Sequence, residues 1–396
     1  MNKKTLADFN FKGKKTLVRV DFNVPLAGDQ VTDNKRIEAA LPTIKFLINE
    51  QAKVILMSHL GRPRGQKVDS LRMDPVAAEL ADLLQQEVIK VDDCIGAEVE
   101  QAVAQMEAGE VVLLENIRFY AEEEANDSDF AKKLASAADV FVMDAFGAAH
   151  RAHASTVGVA DYLPAIAGFL LQNELNILGQ VRDNPEHPFV AIMGGAKVSD
   201  KLGVIRNLYN KVDYLLVGGG IANTFIKAKG YDIGKSLAET EKLELARELL
   251  AEAKEKGVEL VLPVDVITGS ELSADAETRV VTIDKVPAGW QILDAGGPRS
   301  IEIYKEIIKK AKTIVWNGPI GVFEIDKFAV GTNAIAEAMA TSTGRTVIGG
   351  GDSAAAVKKS GYADQMGHIS TGGGASLTFF EGKPLPAVEV LDDIEK

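Results

Sequence analysis

Between its apolar runs this chain places two kinds of chemistry. In the first half, the strand-like runs KTLVRV, AKVILM, EVVLLE and DVFVMD are followed by DFNVP with Asp21 and Asn23, by SHLGRP with His59 and Arg62, by ENIRFY with Arg118, and by HRAH with His150, Arg151 and His153. Arg36 lies nearby in sequence. Guanidinium forks match carboxylate and phosphate oxygens in bidentate geometry, so these arginines point to a small polyanion. A lone arginine is more often a surface salt-bridge partner, but Arg62, Arg118 and Arg151 all follow strand-like runs. Each histidine, taken singly, is better explained as a satisfied structural residue, and no carboxylate or cysteine set stands at ligand spacing to make them a metal site.

The second half offers glycine in place of charge. GGAKVSDK (194–201), GGGIANTF (218–225), NGPIGVFE (317–324), GGGDS (349–353) and STGGGAS (370–376) each follow or lie close to a β-like run. A loop without side chains lets a ligand approach backbone N–H donors, and a helix behind it adds partial positive charge, so these segments suit a nucleotide's phosphates. Lys197 and Lys201 stand beside the first of them. Asp352 has two readings, as a helix N-cap or as a ligand for a hard cation.

The elements that must carry these residues alternate. Short β-rich runs and helical stretches follow one another over nearly the whole length, in two groups, which predicts an α/β fold with two lobes, each a parallel sheet flanked by helices (doubly wound, Rossmann-like). In such sheets ligands bind outside the carboxyl ends of the strands. AIAGFLLQNELNILGQVRDNP reads as one long amphipathic helix ending at Pro185, placing the connection between lobes within about residues 165 to 187. The expected divisions are 1–170, a substrate lobe; 171–187, a connecting helix and hinge; 188–385, a nucleotide lobe; and 386–396, a surface tail packing back towards the first lobe. A cleft between the lobes is part of this expectation.

With 396 residues, 46% of them hydrophobic, the chain can build two cores. A net charge of -13 argues against nucleic-acid or anionic-membrane binding. The single Cys94 excludes an internal disulfide and a cysteine-rich zinc site. MNKKTLADFN lacks a signal-like apolar core and no apolar run reaches membrane-spanning length, so a cytoplasmic protein is expected. GYDIGKS (230–236) has its glycines one residue too close for a phosphate loop and follows KAKG, not a strand; it reads as an ordinary loop. G-x-G-x-x-G and G-x-S-x-G are missing, which weighs against dehydrogenases, protein kinases and serine hydrolases. A two-lobed protein that closes on an anion without transforming it is the non-enzymatic alternative.

In order along almost the full chain, VRVDFNVP, RIEAALPTI, SHLGRP, LLENIRFY, DAFGAAHRAHAS, GGAKVSDK, WNGPIGVFE, GGGDSAAA and STGGGAS resemble the motifs of the phosphoglycerate kinase family. The resemblance implies magnesium-dependent transfer of a phosphoryl group from 1,3-bisphosphoglycerate to ADP, giving 3-phosphoglycerate and ATP, by a monomer. It assigns 3-phosphoglycerate to Asp21, Asn23, Arg36, His59, Arg62, Arg118 and Arg151. It assigns the nucleotide to Lys201, Glu324, Gly350, Gly351, Asp352 and Ser353, with Glu324 on the ribose hydroxyls and Asp352 on Mg2+. Without it, Glu324 reads as a solvated surface glutamate. Phosphoryl transfer asks mainly for alignment and charge neutralisation, here given to Arg36, Lys197, the metal and the N–H groups of Gly372, Gly373 and Gly374. Ala148 and Thr378 depart from the family's usual residues, which puts local packing in question.

Overall fold

The computed structural model describes residues 2–394. The chain divides into two compact units, one of residues 1–176 with 384–396 and one of residues 177–383.

Each unit is built on a six-stranded sheet whose pairings are all parallel. In the first the spatial order is Val88–Lys90, Val111–Leu113, Lys53–Met57, Lys15–Arg19, Val140–Met143, Ala165–Ala167. In the second it is Glu259–Val261, Tyr214–Val217, Phe189–Met193, Thr313–Asn317, Arg345–Gly349, His368–Ile369. Central strands such as Phe189–Met193 and Thr313–Asn317 are buried along their whole length, because helices cover both faces and leave no solvent side for polar residues. Strand order reverses between Lys15–Arg19 and Val140–Met143 in one sheet, and between Phe189–Met193 and Thr313–Asn317 in the other. Diverging loops at such reversals open a crevice at the carboxyl edge.

The expected helix over 165–185 begins later. Ala165–Ala167 is a strand paired with Val140–Met143, and the helix runs Phe169–Asp183. Gly168 makes the turn around Asp144, where an added Cβ would lie 2.2 Å from Oδ1. That carboxylate caps the helix, accepting from Leu170 N at 2.8 Å and Leu171 N at 3.3 Å. Burial pushes its pKa up to about 7. The division between units falls within this helix, after Asn176.

A three-stranded antiparallel sheet, Thr278–Thr282, Asp265–Gly269 and Gln291–Asp294, adds a feature that the alternating pattern does not anticipate. Its core holds Ile267, Ala276, Leu293 and Phe328. GYDIGKS is tied to this region: Lys235 N donates to Trp290 O at 2.8 Å and Ile292 N to Ser236 Oγ at 2.7 Å.

Candidate active site

In the first unit the basic residues stand at the ends of four adjacent strands. Asp21 and Asn23 follow Lys15–Arg19, His59 and Arg62 follow Lys53–Met57, Arg118 follows Val111–Leu113, and Arg151 lies beyond Val140–Met143. Arg36 enters from the first turn of helix Lys35–Asn49 and donates through Nη1 to both oxygens of Asp21 at 3.0 Å. Asp21 therefore holds a guanidinium in place, a task the strand-end pattern alone does not disclose. Asn23 Oδ1 accepts from Gly61 N at 2.8 Å, and Arg118 Nη1 donates to Gly61 O at 3.1 Å, so one residue's backbone aligns both side chains. Arg62 is exposed and Arg151 half-buried.

His59 is buried, with Nδ1 3.1 Å from Nη2 of the fully buried Arg19. A guanidinium only donates, so Nδ1 is the acceptor and the ring proton sits on Nε2. Burial, reinforced by Arg19, Arg118, Arg36 and Arg151, holds the imidazole well below its usual pKa, leaving a neutral N–H donor among cations. The histidines of HRAH differ. His153 lies 3.6 Å from the buried Glu123, whose carboxylate also accepts from Ser155 N at 2.9 Å and Oγ at 2.6 Å. His150 Nε2 is 3.2 Å from Arg151 Nε.

In the second unit the five glycine-rich segments follow five adjacent strands. Gly350 lies between strand Arg345–Gly349 and helix Gly351–Ser360 at φ +96°, a left-handed value that a side chain would strain. Asp352 is in the first turn of that helix but does not cap it: Gly350 occupies the cap position, no side chain bonds there, and Asp352 is exposed. Ser353 is buried and its Oγ accepts from Gly318 N at 2.6 Å, so its hydroxyl joins two strand ends. Gly372 caps helix Gly373–Phe380, and its own N–H donates to Ser370 Oγ at 3.2 Å. Of the three N–H groups expected to meet developing charge, that of Gly372 is thus already engaged.

Lys197 is exposed, whereas Lys201, in the turn Ser199–Lys201, is half-buried. Burial lowers the Lys201 pKa to about 8, with Asp352 and Asp200 acting in the opposite direction. Glu324 is exposed, and its carbonyl accepts from Lys359 Nζ at 3.0 Å. Among the described residues no group of three or more His, Cys, Asp or Glu could hold a metal. The exposed carboxylate of Asp352 beside a glycine loop nevertheless fits Mg2+, which is commonly held by one or two carboxylates with substrate phosphates.

Two supporting residues escape sequence reasoning. Arg19 sits inside VRVDFNVP but reads as a strand residue. Asn116, in ENIRFY, is fully buried: Oδ1 accepts from Leu60 N and Arg118 N, both at 3.2 Å, while Nδ2 donates to Leu60 O at 2.7 Å and Leu71 O at 2.9 Å. For Arg19, a charged residue within the apolar run TLVRV is the available signal; Asn116, between Glu115 and Arg118, has none.

Two parallel sheets, one with basic side chains and one with glycine loops at its carboxyl edge, define an α/β enzyme for anionic substrates. A family model described as phosphoglycerate kinase matches residues 6–383. A curated phosphoglycerate kinase of Moorella thermoacetica is 59% identical over 393 residues, covering 99% of this chain and 100% of that one. The solved phosphoglycerate kinase of Coxiella burnetii is similar with a TM-score of 0.88 at 45% identity, over 98% of each chain. That of Pyrococcus horikoshii gives 0.86 at 36% identity, again over 98% of each. The chain belongs to the phosphoglycerate kinase family. It is a phosphotransferase of glycolysis, passing a phosphoryl group between 1,3-bisphosphoglycerate and ADP to give 3-phosphoglycerate and ATP, and the binding-only alternative falls away. Among the described residues no helix is long and apolar enough to cross a membrane.

Proposed function

We infer that the two ligands of this reaction divide between the two sheets. The observation carrying this reading is the contrast at the carboxyl edges, charged side chains in one unit and glycine-rich backbone in the other. Arg62, Arg118 and Arg151 hold the phosphate and carboxylate of 3-phosphoglycerate with Asn23 and the Nε2–H of His59, and Asp21 aims Arg36. Lys201, the loop Gly350 to Ser353, and Glu324 hold the nucleotide, Glu324 through the ribose hydroxyls. Asp352 would hold Mg2+, which when bound neutralises phosphate charge.

Transfer is direct and needs no covalent nucleophile. Arg36 and Lys197 follow the transferred group with the N–H groups of Gly373 and Gly374, whose place in the first turn of a helix leaves them without intrahelical partners. Closure of the lobes to exclude water, a monomeric state, no nucleic-acid or membrane partner and a cytoplasmic location complete this reading.

The two lysines test it. Lys197→Ala should lower kcat at least a hundredfold, while the Kd for MgADP, measured by calorimetry, moves less than about threefold. Lys201→Ala should weaken nucleotide binding. A Lys197→Ala enzyme with lost nucleotide affinity and intact kcat at saturation would reverse the two roles.

A further inference from the structure

Lys197 lies on a segment held at both ends. Upstream, Gly195 N donates to Pro319 O at 3.1 Å, and Gly195 O accepts from Ile221 N at 3.2 Å, fixing that end to helix Gly219–Ala228. Downstream the holder is Glu239, 40 residues away in sequence from Ser199. Its carboxylate accepts from Ser199 N at 2.9 Å and from Ser199 Oγ. The turn Ser199–Lys201 has Val198 at its cap position, a residue with no group to offer, so Glu239 supplies the missing cap from a distance.

Glu239 is itself anchored and 8% exposed. Its N–H donates to Thr224 Oγ1 at 3.1 Å, and that hydroxyl donates to Gly220 O at 2.9 Å. The same helix, Gly219–Ala228, therefore references both ends of the segment carrying Lys197. Burial acts to raise the Glu239 pKa, but the Ser199 bonds, with help from the Val198 N–H and Lys197, bring it below the usual value, so the carboxylate stays ionised at neutral pH.

We propose that Glu239 is a positioning residue for phosphoryl transfer: by gripping the Val198–Ser199 backbone between Lys197 and Lys201, it sets where the Lys197 ammonium can reach. The proposal rests on the role given above to Lys197. A lysine has a long flexible stem, so its useful placement depends on how rigidly its Cα is held. Glu239 acts on that Cα, not on substrate.

The test uses the full-length enzyme and a double-mutant cycle. Glu239→Ala should lower kcat by about tenfold or more, with the KM for 3-phosphoglycerate within about twofold. In the Lys197→Ala background the same substitution should cost less than about twofold, because the residue it positions is gone. An equal loss in both backgrounds, or a single variant with kcat within twofold of wild type, overturns the proposal. If Glu239→Ala does not fold, Ser199→Ala removes one of the two donors and should lower kcat about threefold, again only where Lys197 is present; an equal loss without Lys197 overturns the proposal here too. A Lys197→Ala enzyme with wild-type kcat overturns both the reading of Lys197 and this proposal. A strong Lys197→Ala defect with additive Glu239→Ala overturns this proposal alone.

Discussion

In the sheet of residues 1–176 the strand ends present charged side chains several of which already hold one another, whereas in that of residues 177–383 they present mainly glycine-rich backbone, with two lysines and the carboxylates of Asp352 and Glu324. Asp21 clasps Arg36, Arg19 fixes the tautomer of His59, and Gly61 bridges Asn23 and Arg118. These held side chains are organised before a ligand arrives, and little of their rotamer entropy remains to be lost on binding. In the other unit Lys201 is partly desolvated, and burial lowers its pKa to about 8 even though Asp352 and Asp200 act to raise it. On the proposed division of ligands, the preset forks would meet the small acid, and the backbone N–H groups with their lysines the nucleotide's flexible phosphates.

The largest effect is expected from removing Arg36, the preset fork to which the transferred group is assigned. Arg36→Met should lower kcat by about a thousandfold, the scale of losing a charge-stabilising arginine in phosphoryl transfer, with the MgADP Kd unchanged. Steady-state kinetics retaining near-normal kcat would move the role to another group.

A smaller effect is expected where the preset geometry is held from behind. Asn116→Ala strips partners from Leu60 N, Arg118 N and two carbonyls, three of these four bonds being buried. It should cost about 2–4 kcal/mol in denaturant unfolding and raise the KM for 3-phosphoglycerate through the displaced Arg118. Unchanged stability would mean that the loop is held by other contacts.

Smaller still is a protonation signal from the second unit. With the free-state pKa of Lys201 near 8, the amine is largely neutral at pH 9, and nucleotide phosphates favour its charged form. Binding of MgADP at pH 9 should therefore take up a substantial fraction of a proton, and affinity should fall as pH rises through about 8. Calorimetry in buffers of different ionisation enthalpy measures this uptake, which should vanish in Lys201→Met. Equal uptake in that variant would assign the proton elsewhere.

What could be read in advance follows from periodicity. Buried parallel strands are nearly continuous apolar runs, so KTLVRV, PFVAIM and KTIVWN announce themselves, and the residues after them fall on the ligand edge. The short strands Val88–Lys90 and Ala165–Ala167 are too brief to stand out, and Ala165–Ala167 merges in apolar pattern with the helix it precedes. The glycines were only half legible. Gly350 meets the conformational need of its loop, but an added Cβ on Gly194 would lie 2.0 Å from Pro319 O and one on Gly318 2.2 Å from Gly194 O, so these let strand-end loops pack on each other. Pairings such as Arg19 with His59 and Glu239 with Ser199 join residues 40 apart, and residue type alone cannot announce them.

The division of ligands between the two sheets is tested most directly by calorimetric titration of the full-length Arg118→Ala enzyme with each ligand separately. Arg118 is 4% exposed at a strand end of the first unit, so this division predicts a Kd for 3-phosphoglycerate raised at least tenfold and a Kd for MgADP within about twofold of wild type. Loss of MgADP affinity, with 3-phosphoglycerate binding intact, would contradict it.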